Sequence, residues 1–89
     1  MISREIEIIN KLGLHARAAA KLVTQASQYK SDIQLIRNEQ KVNAKSIMGV
    51  MMLAAGQGTT LLMIANGNDE SEAIDALQEL VLSRFGEGE

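Results

Sequence analysis

Residues 2–26 read ISREIEIINKLGLHARAAAKLVTQA, and along them a strand pattern gives way to a helix pattern. Apolar and polar residues alternate over residues 2–8, which is typical of a half-buried strand. Gly13 follows in a short loop as its flexible point. From His15 to about Tyr29 the apolar residues recur every three or four positions, and several alanines add intrinsic helix preference. The sequence therefore predicts a strand, a loop and a helix, with His15 where the loop becomes the helix.

The rest of the chain predicts three more strands and two more helices. They are strands over residues 32–37, 40–44 and 59–65, a helix over residues 47–54 that ends at Gly56-Gln57-Gly58, and a last helix from residue 69 to a stop at Gly86. Asp69 and Glu72 fit a capping box at the start of that last helix. The expected fold is α+β, a four-stranded, mainly antiparallel sheet covered on one face by three helices. We expect a single domain over residues 1–89.

Length and composition exclude several classes of protein. A chain of 89 residues buries roughly 60–65% of its unfolded surface, which allows one core and argues against a deep catalytic pocket. There is no cysteine and only one histidine, so disulfides, thiolate metal sites and histidine-rich metal sites are excluded. No apolar run reaches the roughly 18 residues of a membrane helix, and the N-terminus lacks a signal-peptide pattern. We expect a cytoplasmic protein with no membrane insertion, no metal and no organic cofactor.

The net charge of −2 conceals an asymmetry along the chain. Residues 1–68 have a balance of +4, from eight Lys or Arg against four Asp or Glu, whereas residues 69–89 have a balance of −6. The basic part is too sparse, and too poor in aromatic residues, for a nucleic-acid surface. It suits an anionic group or an acidic partner protein. The alternative is an ordinary solvated surface with a charge-biased last helix.

His15 is the candidate for chemistry, because a helix start is suited to bind an anion. The first backbone N–H groups of a helix lack internal partners, and the helix dipole places partial positive charge there. Arg17 adds a full charge and a planar fork of donors that fits phosphate oxygens. Imidazole is a good nucleophile near neutral pH, and a phosphoryl group on it can be passed on. The alternative is that His15 only begins the helix or packs at its end; a catalytic triad is excluded by the lack of cysteine and of sufficient burial.

Two segments resemble the signatures of HPr, the histidine-phosphorylated carrier family of bacterial phosphotransferase systems. They are GLHARAAAKLV at residues 13–23 and KSIMGVMML at residues 45–53, in the family's order and at its separation. The resemblance implies an HPr-like open-faced sandwich, and a stoichiometric carrier rather than an enzyme. It also implies that Enzyme I, using phosphoenolpyruvate, phosphorylates His15 on Nδ1 with the help of Arg17. The group would then pass to an Enzyme IIA-type acceptor, in a sugar phosphotransferase system.

One residue departs from the family pattern. Ala18 stands where proline is frequent, and proline suits a first helical turn because no N–H partner is needed there. Alanine is also a good helix residue, so we expect the helix to form with a less rigid start. That departure affects how finely His15 is positioned.

Ser46 precedes an apolar helix, which is where an N-capping serine belongs. That local role explains the residue fully. The resemblance adds a regulatory role, because some HPr proteins are phosphorylated at the matching serine by an HPr kinase/phosphorylase. A phosphate at a helix N-terminus is tolerated by the fold and would add negative charge to this surface.

The helix after Ser46 is apolar nearly all round, so in a domain this small one face must meet solvent or a partner. Methionines adapt to partners of different shapes. The resemblance to HPr implies that Ile47, Met48 and Met51 point outward and form a docking patch for Enzyme I and acceptor proteins. Two residues of the first helix, Ala20 and Lys21, are weaker candidates for the same surface. The alternative is that these side chains pack in the core.

Three other functions stay open. The ending at residues 83–89 and the lead-in at residues 10–13 resemble NPr-like members of the family, which serve a regulatory nitrogen-related phosphorelay. A second alternative is an interaction module that binds partners without phosphotransfer, although such relatives lack the histidine that this chain has. A small enzyme is disfavoured, because paired catalytic groups and room for a pocket are missing. A transient carrier works well as a monomer, which is the expected state.

Overall fold

Residues 1–87 are described by this computed structural model and form four strands, three α-helices and one short 3₁₀-helix. In chain order they are β1 (Ile2–Glu7), α1 (Ala16–Ala26), β2 (Asp32–Arg37), β3 (Gln40–Asn43), α2 (Ile47–Met52), β4 (Thr60–Asn66), α3 (Glu70–Leu82) and the 3₁₀-helix (Arg84–Gly86). The predicted order of strands and helices is confirmed.

The four strands form one sheet in the order β1-β4-β2-β3. Every pairing between them is antiparallel, and β4 lies between β1 and β2. In the centre of the sheet Leu35 on β2 lies opposite Met63 on β4 and Val42 on β3. The predicted sheet was mainly antiparallel, and the described strands are antiparallel throughout.

The core lies between one face of the sheet and the three helices. Side chains alternate across each strand, so every second residue of β2 and β4 points to the same face. Those on the inner face are buried, and each helix adds its own apolar stripe. The largest fully buried side chains are Phe85, Ile8, Leu22, Ile33, Leu35, Leu53, Leu61, Met63, Ile74, Leu77, Val50 and Val81. The predicted α+β sandwich, with helices on one face of the sheet, is confirmed.

Two helices end earlier than the sequence pattern predicts. Helix α1 stops at Ala26 rather than near Tyr29, because the amides of Gln28 and Tyr29 bond three residues back instead of four, each at 3.2 Å. Helix α2 stops at Met52, and Ala54 takes a left-handed backbone with φ 50°. The Arg37 guanidinium donates to the Leu53 and Ala54 carbonyls, at 2.7 and 3.0 Å, and so satisfies the helix end. The glycines at 56 and 58 are therefore not what terminates α2.

The start of α3 corrects a second prediction. Asp69 is the N-cap residue, but its side chain makes no capping hydrogen bond within α3. Its carboxylate instead accepts the amides of Lys30 and Ser31, at 2.9 and 3.0 Å, and the Ser31 hydroxyl. The bond from the Ser31 hydroxyl, followed by that from the Lys30 amide, lowers the pKa of Asp69. Asp69 thus ties the start of α3 to the segment that enters β2.

Candidate functional site

His15 is the N-cap residue of α1, as predicted. Its backbone is extended, with φ −72° and ψ 177°, and its carbonyl accepts the Ala19 amide at 2.8 Å. Nδ1 of the ring accepts the Arg17 amide at 3.3 Å. The side chain is 29% exposed. Nδ1 therefore lies at the positive end of the α1 dipole, beside the amide groups that a bound anion would use.

The loop before His15 is held against the segment that follows α2. The Leu14 amide donates to the Ala55 carbonyl at 2.9 Å. Gly13 has φ +68°, and a Cβ at that position would lie 2.5 Å from the Ala55 oxygen and 2.7 Å from Cα of Gly56. Only glycine fits both the backbone conformation and this close approach. Gly13 therefore fixes the path of the chain into His15.

The chain after α3 returns toward the start of α1. Arg84, Phe85 and Gly86 all have left-handed backbones, with φ of 57°, 54° and 75°. Phe85 is 1% exposed, so its burial holds two non-glycine residues in an uncommon conformation. The Lys21 ammonium on α1 donates to the Phe85 carbonyl at 2.6 Å. These contacts place Glu87 beside the ring of His15.

Glu87 lies directly against the ring of His15. One carboxylate oxygen, Oε2, contacts Nε2 of His15. The other, Oε1, accepts from Nδ2 of Asn10 at 2.9 Å, and the same amide nitrogen donates to the Gly13 carbonyl at 2.8 Å. The bond with His15 lowers the pKa of Glu87, the Asn10 bond acts in the same direction, and partial burial opposes both. The carboxylate is therefore ionised near neutral pH.

A groove of about 660 Å³ opens beside the ring. It is lined by Lys11, Leu12, His15, Ala16, Arg17, Lys21, Gly86 and Glu87. Three of these side chains are cationic, and among residues 1–87 Glu87 is the single acid of the lining. An anion in this groove would meet positive charge together with the N-terminus of α1. Residues 1–87 contain no group of three or more acidic or histidine side chains placed to hold a metal ion.

The start of α2 also matches its prediction. Ser46 is the N-cap, and its hydroxyl accepts the Gly49 amide at 3.1 Å. Val50 on the inner side of the helix is buried. Ile47, Met48 and Met51, which the resemblance turned outward, are exposed by 46%, 75% and 43%.

Around these residues α1 and α2 pack against each other. Ala20 on α1 is half-buried, whereas Lys21 is exposed and lines the groove beside His15. Met52 is 65% exposed and extends this face, although it was not among the predicted outward residues; the apolar residues around it were the signal for an exposed face.

Asn10 and Glu87 were also missed, and the sequence holds little signal for them. Asn10 belongs to an ordinary loop, and Glu87 is one acid among several in the acidic end of the chain. Glu87 is 72 positions away from His15, so their contact depends on the left-handed turn at Arg84 and Phe85. In the described part of the chain, no helix has the length and apolar character to cross a membrane.

The chain is similar to known proteins along almost its full length. The family model described as PTS HPr component phosphorylation site matches residues 2–83. Phosphocarrier protein HPr of Cupriavidus necator is 57% identical over 89 residues, which cover all of both chains. Phosphocarrier protein NPr of Shewanella violacea is 42% identical over 86 residues, which cover 97% of this chain and 94% of that protein.

Solved structures share the fold. The crystal structure of HPr-C-His from Thermoanaerobacter tengcongensis has a TM-score of 0.95 and 52% identity, and 98% of each chain is covered. A crystal structure of an HPr dimer from the same organism has a TM-score of 0.79 and the same 52% identity, covering 98% of this chain and 100% of that chain.

Proposed function

The chain belongs to the HPr family of the phosphotransferase system, and we propose that its His15 carries a phosphoryl group from Enzyme I to an Enzyme IIA-type acceptor. Enzyme I would take the group from phosphoenolpyruvate. The acceptor would belong to a sugar phosphotransferase system. The protein would act as a stoichiometric relay in the cytoplasm, without turnover of its own on a small molecule and without a cofactor.

The placement of His15 Nδ1 carries this proposal. Nδ1 points to the Arg17 amide at the N-terminus of α1, so a phosphoryl group on it would meet backbone donors and the helix dipole. The exposed Arg17 side chain lines the same groove and can pair with phosphate oxygens in bidentate fashion. A partly exposed ring lets the group enter and leave without a change of fold.

Docking of both partners is assigned to the face of α2 formed by Ile47, Met48 and Met51, which we extend to Met52. An exposed apolar surface on a helix that packs beside α1 suits transient binding of several partners. Ala20 and Lys21 would complete this surface from α1. Replacing Met48 by Ser should raise the KM of Enzyme I for this protein about fivefold. Leu82→Ser, a change of an exposed residue on α3, is the matched control, and equal effects of the two would overturn the assignment.

Ser46 is proposed as a second, regulatory phosphorylation site for an HPr kinase/phosphorylase. Ser46 is half-buried, and its hydroxyl oxygen accepts the Gly49 amide at 3.1 Å as the α2 cap. The two kinds of modification differ chemically, because phosphoserine survives mild acid and phosphohistidine does not. A kinase treatment that adds no acid-stable phosphate would remove this assignment.

The nitrogen-related relay is the second candidate, favoured by the 42% identity to an NPr protein. It would use the same His15 chemistry with a different Enzyme I and a different acceptor. Transfer rates measured side by side with the two types of Enzyme I distinguish the branches. A faster rate from the nitrogen-type enzyme would replace the sugar assignment.

A monomer suits such a carrier, since one small protein must present the same surface to two partners in turn. The HPr dimer known from Thermoanaerobacter tengcongensis makes the oligomeric state worth measuring directly. Sedimentation equilibrium at micromolar concentration should give the mass of one chain. A stable mass of two chains would contradict the monomer.

The deciding experiment is intact-mass spectrometry after incubation with phosphoenolpyruvate and Enzyme I. We expect one added phosphoryl group, which mild acid removes. Because the chain contains a single histidine, an acid-labile phosphate must be on His15. A folded sample that gains no mass with either type of Enzyme I would leave a binding module without transfer as the better explanation.

A further inference from the structure

We propose that Glu87 is a positioning residue for His15, which holds the ring in the tautomer with the proton on Nε2, so that Nδ1 carries the lone pair that acts as the nucleophile. This inference deepens the proposed function and rests on it for its catalytic meaning. The tautomer itself can be observed without any partner protein.

The partners of the two ring nitrogens select the tautomer. A neutral imidazole has one N–H donor and one lone-pair acceptor. Nδ1 faces the Arg17 amide, which can only donate, so Nδ1 must accept. Nε2 faces the Glu87 carboxylate, which can only accept, so Nε2 must donate. The tautomer protonated at Nε2 satisfies both contacts, whereas the other tautomer satisfies neither.

The Glu87 carboxylate is itself held by a buried amide. Asn10 is fully buried and donates from Nδ2 to both the Glu87 carboxylate and the Gly13 carbonyl. Its own Oδ1 is buried without a hydrogen-bond partner within the described residues. An unpaired buried oxygen is costly, and turning the amide over would place oxygen against two acceptors instead. The structure thus keeps Asn10 in the orientation that fixes Glu87.

The charge change during transfer gives the contact a role beyond orientation. When the Nδ1 lone pair forms the bond to phosphorus, the bond from phosphorus to the donor's leaving group breaks and its electron pair stays on that leaving group. His15 keeps its proton on Nε2, so its ring becomes cationic, and no proton has to move. A carboxylate on that N–H stabilises the developing positive charge. Lys11, Arg17 and Lys21 line the same groove, where the Lys21 ammonium donates to the Phe85 carbonyl at 2.6 Å.

The test compares three variants of the full chain. Glu87→Ala removes the acceptor, and Glu87→Gln keeps a side-chain oxygen but removes the charge. Glu79→Gln removes the same charge from an exposed position on α3 and is the matched control. Backbone amide spectra first establish that each variant is folded.

The first readout is the ¹⁵N chemical shift of each His15 ring nitrogen, recorded at a pH where the ring is neutral. Wild type and Glu79→Gln should show the tautomer protonated at Nε2. Glu87→Ala should show an increased fraction protonated at Nδ1, and Glu87→Gln should stay close to wild type. If Glu87→Ala leaves both shifts unchanged, Glu87 does not set the tautomer and the proposal is overturned.

The second readout is the rate of phosphoryl transfer from phosphorylated Enzyme I. We expect kcat to fall about tenfold in Glu87→Ala and less in Glu87→Gln, with KM unchanged, because the contact acts on the ring and not on docking. A rate equal to that of Glu79→Gln would overturn the role in transfer. If no variant and not even wild type accepts phosphate, the proposed function fails, while the tautomer result still decides what Glu87 does to the ring.

Discussion

Helices α1 and α2 begin in different ways, although in each a side chain at the N-cap accepts a backbone amide. Ser46 caps α2 from 3.1 Å, and serine is among the residues that favour this position. His15 caps α1 from 3.3 Å, and histidine is not among them. The Ser46 hydroxyl bonds to an amide of its own helix, whereas the His15 ring is also held by Glu87, which is remote in sequence. A residue that suits its local position poorly but is held by remote contacts is the better candidate for function.

The largest expected effect is the loss of labelling on replacing His15 by Ser. Serine is a favoured N-cap, so α1 should form and the free energy of unfolding should stay within about 1 kcal/mol of wild type. Acid-labile labelling by Enzyme I should disappear completely, because the only imidazole is gone. Intact mass and urea unfolding, measured on the same sample, separate the two properties. Residual acid-labile phosphate in this variant would contradict the site.

The next effect concerns the loop that leads into α1. Gly13→Ala should destabilise the fold by about 2–4 kcal/mol, because it combines a left-handed backbone with a Cβ that overlaps the Ala55 carbonyl. Gly56→Ala is the matched control, since a Cβ there has no atom within 4 Å. Urea unfolding should show a large loss in the free energy of unfolding for Gly13→Ala and a small change for Gly56→Ala. Equal changes would mean that the loop can shift, and that His15 is less firmly placed than the structure indicates.

Local sequence patterns were sufficient to predict the architecture. Alternation over residues 32–37 gave β2 with its observed bounds, and helical spacing after His15 gave α1 with its buried face. The same patterns predicted the two helix starts compared above, since a cap and the residues that follow it are neighbours in sequence. The apolar pattern of α2 predicted one exposed face, because a helix apolar all round cannot be buried all round, whereas its outward residues Ile47, Met48 and Met51 were predicted from the family resemblance.

Contacts between remote segments were beyond such patterns. The bond between Glu87 and His15 depends on a turn in which Arg84 and Phe85 take left-handed backbones, which neither residue type favours. Ala54 likewise turns the chain after α2 without a glycine, helped by the Arg37 side chain. The predicted capping box at Asp69 failed because a better set of donors arrives from another segment. Local propensity is overruled where burial and remote hydrogen bonds decide the conformation.

Asp69 extends the comparison to a third helix start and gives a pH-dependent prediction. Its bonds with Ser31 and Lys30 lower its pKa in the folded protein, so its stabilising contribution is present above the pKa of the unfolded chain, near 4. It is lost as the pH falls through the lowered pKa of the folded state. Asp69→Asn should therefore lower Tm at pH 7, and the difference from wild type should shrink as the pH falls below about 4, the pKa of the unfolded chain.

Asp32→Asn, at an exposed position on β2, is the control for that experiment. It removes the same charge without removing these bonds and should change Tm little at either pH. A Tm difference for Asp69→Asn that stays constant from pH 7 to pH 3 would mean that Asp69 acts through its shape alone. The start of α3 would then not be tied to β2 by an ionised carboxylate.

The smallest effect comes from Ser46 and completes the contrast with His15. Ser46→Ala should lower the free energy of unfolding by about 1 kcal/mol, because the Gly49 amide loses its acceptor. Ser46→Asp should keep the cap and stay close to wild-type stability, since aspartate also accepts from a first-turn amide. Ser46→Ala, which adds no charge, should be labelled by Enzyme I to the same extent as wild type.

His15→Ser and Ser46→Ala thus give opposite outcomes. His15→Ser loses labelling and keeps its stability, whereas Ser46→Ala loses stability and keeps its labelling. A Ser46→Ala variant that is fully stable but poorly labelled would show that the two helix starts are not separable in this way, and that Ser46 belongs to the transfer site itself.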